Sequence, residues 1–85
     1  MEYVMVSYRS RSYTIKFANF LREHGISCAV VNTPKEAGVG CGLSVQIEKN
    51  DFYQVKRAVF SSNMESFAGF FLVTTFGNKK QVRSI

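Results

Sequence analysis

Eighty-five residues, with 46% apolar content, eight phenylalanines and one proline, make a single small domain with a real core rather than a disordered chain. No apolar run approaches the roughly 20 residues that span a bilayer. Met1-Glu2-Tyr3 leads directly into a strand-like segment without a signal-peptide pattern, so the expected compartment is the cytoplasm. The net charge is +5, partly from Lys79, Lys80 and Arg83, and reads either as a solubilising tail or as attraction for an anionic partner.

Tyr3-Val4-Met5-Val6-Ser7-Tyr8 is rich in β-branched and aromatic residues and predicts a strand. Arg9-Ser10-Arg11-Ser12 is a polar break with two candidate helix caps. A helix is expected from Tyr13 to His24, its apolar face formed by Phe17, Ala18, Phe20, Leu21 and Ile15 or Thr14, with Gly25 as the stop. Ile26 to Val31 is a second strand. Asn32 to Cys41 is a loop holding the single proline. Gly42 to Glu48 alternates, with Leu43, Val45 and Ile47 on one face, and predicts a half-buried strand. Asn50 or Asp51 caps a helix to about Ser61, with Phe52, Val55, Val59, Ala58 and Phe60 as its stripe. Ser61-Ser62-Asn63 is a break, and Phe67 to Phe76 is a last strand ended by Gly77.

This order predicts an α+β fold, a ferredoxin-like β-α-β-β-α-β sandwich with a four-stranded antiparallel sheet and two helices on one face. Residues 1–77 would form the domain and 78–85 a basic C-terminal tail. In that topology the connections Arg9–Ser12, Asn32–Cys41 and Ser61–Ser66 share one end of the sheet with the start of the first helix.

Cys41 is the candidate reactive atom. It stands between Gly40 and Gly42 behind Thr33-Pro34-Lys35, and glycines leave a sulfur accessible and a backbone free to shape itself around an anion. The helix start and the cations Arg9, Arg11 and Lys35 would favour a thiolate there. The bland alternative stays open: Gly38-x-Gly40-x-Gly42 also suits a flexible hairpin connection with Cys41 as a small filler. Cys28, in mid-strand, reads as structural. A Cys28–Cys41 disulfide is not expected, because position 28 would face a residue near 45, beyond disulfide reach of 41. The glycine spacing fits neither a dinucleotide nor a Walker loop. Cys28, Cys41 and the lone His24 lack zinc-site spacing, so no metal is expected. His24 reads as an ordinary residue at a helix end.

Four stretches carry a resemblance. They are Leu21-Arg22-Glu23-His24-Gly25-Ile26 after a serine-started helix, Asn32-Thr33-Pro34-Lys35-Glu36, Cys41-Gly42-Leu43-Ser44-Val45, and the acidic-capped second helix. From Tyr3 to Phe71 the chain resembles a small bacterial selenium/sulfur carrier protein-like family. The resemblance implies that Cys41 carries sulfur or selenium as a persulfide or selenide adduct, with Gly42 beside it and Thr33, Pro34 and Lys35 shaping the loop. Its partners would be protein donors and acceptors, and no other cofactor is implied. Gly38 and Gly40 stand where more serine-like residues are expected in that family. With no acid/base machinery visible, a carrier is expected rather than a stand-alone catalyst.

The competing reading is a non-catalytic interaction module. Its exposed sheet face would gather Tyr3, Tyr8, Phe71 or Phe76 into a patch suited to a partner or a homodimer. Nucleic acid is disfavoured, because Gly42-Leu43-Ser44-Val45-Gln46 carries no stacking ring.

Overall fold

The computed structural model describes residues 1–62 and 64–85, so Asn63, read above as part of a break, lies outside the described residues. Strand β1 (Glu2–Tyr8) is buried from Tyr3 through Tyr8, on both of its faces. Helix α1 (Arg11–Glu23) starts at Ser10, whose Oγ accepts the Tyr13 N–H at 3.1 Å. It stops in two reciprocal bonds, Gly25 N–H to Arg22 O and Ile26 N–H to Leu21 O, made possible by Gly25 at φ 77°. The helix buries Thr14, Phe17, Ala18 and Leu21, a stripe with spacings of three, one and three. Ile15 and Phe20, expected in that stripe, are instead 46% and 41% exposed, because one helix on one sheet covers only one stripe. Thr14 is accepted there because its hydroxyl donates to Ser10 O at 2.8 Å.

Strands β2 (Cys28–Asn32) and β3 (Leu43–Ile47) form a hairpin in which Cys28 faces Ile47 and Asn32 faces Leu43. Position 28 is thus two residues further along β3 than expected, a shift that keeps every side chain on its face. A 3₁₀ turn at Lys49–Asp51 leads into helix α2 (Phe52–Phe60). Asp51 occupies the cap position without a side-chain bond. Val55 and Val59 are buried, whereas Phe60 is 55% exposed.

The expected four-stranded β-α-β-β-α-β sheet is corrected here. Strand β4 (Phe67–Phe76) turns through Gly77-Asn78 into a fifth strand, β5 (Lys79–Ser84), and the antiparallel sheet has the order β2-β3-β1-β4-β5. The residues read as a loose tail therefore pair with β4 over its full second half. Two observations explain the error. Val82 faces Val73 and gives the strand an apolar foothold, and lysines on an outer strand are the ordinary means of blocking further pairing rather than a mark of disorder.

Both helices pack on one sheet face, over Val4, Val6, Tyr8, Val45, Ile47 and Phe70. The opposite face holds a smaller cluster, Tyr3, Met5, Phe71 and Val73, with Ala37 and Val82 packed against it. The expected exposed aromatic patch is overturned: Tyr3, Tyr8 and Phe71 are buried, and of the four only Phe76 is exposed. Tyr8 lies in the helix-side core, and the other face is covered by the β2–β3 connection. No helix among the described residues is long and apolar enough to cross a membrane.

Candidate functional site

The β2–β3 connection begins with two bonds at Thr33. Its N–H donates to Gly42 O at 2.9 Å, and its Oγ1 meets Ser44 Oγ at 2.6 Å. Pro34, fixed near φ −59°, opens a 3₁₀ turn at Lys35–Ala37 that ends in Gly38 at φ 66°. The turn lies under the sheet against the smaller cluster and touches β5. The chain then returns through Gly40 and Gly42, at φ 90° and 94°. Gly40 is required twice over: its backbone is left-handed, and a Cβ there would stand 3.2 Å from Tyr8 O.

That close approach sets the next contact. Cys41 N–H donates to Tyr8 O at 3.2 Å, tying the loop to the end of β1. The Cys41 sulfur, half-buried, faces the first turn of α1. It donates to Leu43 O at 3.6 Å and lies 3.8 Å from Thr14 Oγ1. Thr14 has its hydrogen committed to Ser10 O, so it turns lone pairs toward the thiol. In this arrangement the S–H proton has two acceptors, the backbone carbonyl of Leu43 and the hydroxyl of Thr14 at the helix start.

The three connections expected at this end do meet. Arg9 N–H donates to Ser66 O at 2.7 Å, beside the Cys41–Tyr8 bond. The expected cations are arranged differently. Arg9 sends its guanidinium to Phe67 O at 2.9 Å, toward β4. With Ser10, Ser12, Tyr13, Lys16 and Ser66 it lines an open cleft that Cys41 does not line. Arg11 is exposed at the start of α1, and Lys35 is exposed on the 3₁₀ turn. Among the described residues no hydrogen bond or ion pair joins Arg9, Arg11 or Lys35 to the Cys41 sulfur.

The second thiol sits elsewhere. Cys28 starts β2, and its Sγ donates to Ala18 O at 3.4 Å. Burial pushes this thiol up from its ordinary pKa, against a smaller opposing effect of Arg22. Both cysteines are free. His24 caps α1, with its Nδ1 2.9 Å from Phe20 O. No group of three or more His, Cys, Asp or Glu side chains among the described residues could hold a metal ion.

Sequence reasoning missed the polar support beneath the loop. Ser7 and Ser44 are fully buried neighbours on paired strands, with Oγ atoms 2.8 Å apart, and Ser44 continues the chain to Thr33. The signal was present: each is a lone small hydroxyl in a strand otherwise apolar on the same stretch, Tyr3 to Tyr8 and Leu43 to Val45. Thr14 was visible as one of two options for the helix stripe, but its proximity to Cys41 depends on tertiary packing.

A protein-family model described as "Putative Se/S carrier protein-like" matches residues 2–67. No curated protein and no solved structure matches the chain.

Proposed function

The chain belongs to the Se/S carrier protein-like family, and from that premise we propose that Cys41 is its carrier thiol. The observation that carries this choice is the contrast between the two free thiols. Cys28 is tucked against a helix carbonyl at the sheet edge, whereas Cys41 is presented at the end of a glycine-rich loop whose backbone is anchored to β1.

The chemistry is a transfer between sulfurs. The Cys41 thiolate attacks the terminal sulfur of a donor protein's persulfide. The donor's S–S bond breaks, a new S–S bond forms on Cys41, and the donor leaves as a thiolate that takes up the proton Cys41 gave to solvent. Release is the same step with an acceptor thiolate attacking the terminal sulfur on Cys41. A terminal selenium would move in the same way. Thr14 supports the anionic sulfur by turning its hydroxyl from Ser10 O toward Sγ, 3.8 Å away. Arg11 and Lys35, exposed and unpaired among the described residues, act on the approaching donor as long-range positive charge rather than as contacts to the sulfur. The partners are proteins that donate and accept the atom, in the cytoplasm.

The test is incubation of the Cys28→Ser and Cys41→Ser proteins with a low-molecular-weight persulfide, read by intact mass. Cys28→Ser should gain one sulfur and pass it to an added thiol. Cys41→Ser should gain none. Equal loading of the two variants overturns the assignment.

A further inference from the structure

We infer that β5, through Val82, is the clamp that positions the Cys41 loop; the reading rests on Cys41 being the reacting thiol. The loop has three anchors. At its start, Thr33 is bonded to Gly42 O and Ser44 Oγ. At its end, the Cys41 N–H is bonded to Tyr8 O. Between them lies the 3₁₀ turn, with no hydrogen bond to the sheet through its own peptide groups: the Ala37 and Gly38 N–H groups donate back to Pro34 O and Lys35 O. What holds the turn is apolar contact. Ala37 packs on the cluster of Tyr3, Met5, Phe71 and Val73, and Val82 of β5 packs on that same cluster beside it.

Gly38, Gly40 and Gly42 make the return segment intrinsically loose, since each lacks the side chain that would restrict its backbone. An unclamped turn would therefore let residues 38–42 sample many paths, and the sulfur would leave its place beside Thr14. The charged face of β5 is not needed for this role; Val82 is its half-buried apolar side chain on the turn's side. β5 and nearly all of β4 lie beyond the residues 2–67 that carry the family match. The Val82 side of the clamp thus lies outside the matched residues, and its Ala37 side lies within them.

The test uses the full chain with Cys28→Ser, so that Cys41 is its one thiol. Two rates are measured in the folded protein: amide exchange of Cys41 N–H, and labelling of Cys41 by iodoacetamide. Val82→Ala should speed the exchange about tenfold, the scale of two lost half-buried methyl groups packed on the cluster, and should speed labelling several-fold. Amides of β1 and β3 at Val4, Val6 and Val45 should keep their protection. Val82→Ile, which restores the contact, and Gln81→Ala, on the other side of β5, should leave both rates at the parental value. Should Val82→Ala fail to fold, Ala37→Asp attacks the same contact from the loop and should give the same response. Unchanged exchange and labelling at Cys41 in a folded Val82→Ala or Ala37→Asp protein overturns the clamp. Neither rate involves a persulfide, so a chain that never accepts sulfur overturns the carrier reading alone.

Discussion

The two faces of the sheet are built to different depths. On one, α1 and α2 bury a broad cluster that runs from Val4 to Phe70 and includes Phe17, Leu21, Val55 and Val59. On the other, four buried residues are met by Ala37 of the loop turn and, alongside them in the sheet, by Val82 of the outermost strand. The thick face fixes the sheet. The thin face carries the cover whose far end is Cys41. A reactive loop drawn from the low-stability part of a fold can move without unfolding the rest, and the thin face is where that freedom resides.

The thick face holds the domain together, and the largest loss of stability is expected there. Leu21→Ala removes a fully buried side chain from the helix-side core and should cost about 3 kcal/mol. In urea unfolding the loss should appear as one cooperative transition, with loop and sheet melting together. A separate early melt of the helices would contradict it.

Ser44→Ala comes next and lies on the loop side. Ser44 is buried and bonded to both Ser7 and Thr33, so its loss leaves two hydroxyls short of a partner and should cost about 2 kcal/mol. Because Thr33 is the first anchor of the loop, amide exchange at residues 33–42 should rise more than exchange in α1. A uniform rise would show that the hydroxyl chain supports the sheet and not the loop.

Gly40→Ala sharpens the contrast at the smallest spatial scale. Its backbone is left-handed and a Cβ would press on Tyr8 O, so a loss of about 1–2 kcal/mol is expected, with the Cys41–Tyr8 bond weakened. Heteronuclear shift changes confined to the loop and the end of β1 are the expected signature.

Tyr8→Phe should have the smallest effect near neutral pH. Among the described residues the buried Tyr8 hydroxyl has no hydrogen-bond partner of ordinary geometry, only Ser62 nearby, so removing it leaves no unpaired group behind. Its pH dependence is distinctive. Burial raises the Tyr8 pKa above the ordinary tyrosine value, with Tyr13 adding to the rise and Ser62 opposing it. The unfolded chain therefore loses this proton first. The stability tied to the neutral hydroxyl is complete below the ordinary value near 10 and is lost as pH climbs from there toward the raised folded value. Urea midpoints at about pH 8 and about pH 11 should fall less between the two conditions in Tyr8→Phe than in the parent. Equal falls would place the Tyr8 hydroxyl in contact with solvent.

Several elements were legible because local chemistry specifies them. Ser10 was one of two serines offered as the cap of α1, and Gly25 stops it with the bonds that glycine permits. The alternation of Leu43, Val45 and Ile47 marked β3; Val45 and Ile47 are buried in the helix-side core, and Leu43 is half-buried at the strand's start. Cys41 stood out among the two thiols by its glycine neighbours. The cations around it could not be placed in the same way. Arg9 turns to β4 because Phe67 O is there to accept it, a fact that depends on a residue 58 positions away.

Neighbouring residues alone settle the period of the first four strands and of both helices, the Ser10 cap and Gly25 stop of α1, and the choice of candidate thiol. The tertiary structure alone decided whether Lys79–Ser84 would pair, what would cover the second face of the sheet, and which groups would surround the Cys41 sulfur. The reason is physical. Strand pairing at an edge and the seating of a loop depend on apolar surface assembled from Tyr3, Ala37, Phe71 and Val82 together, and no local pattern announces a surface shared by residues so far apart in the chain.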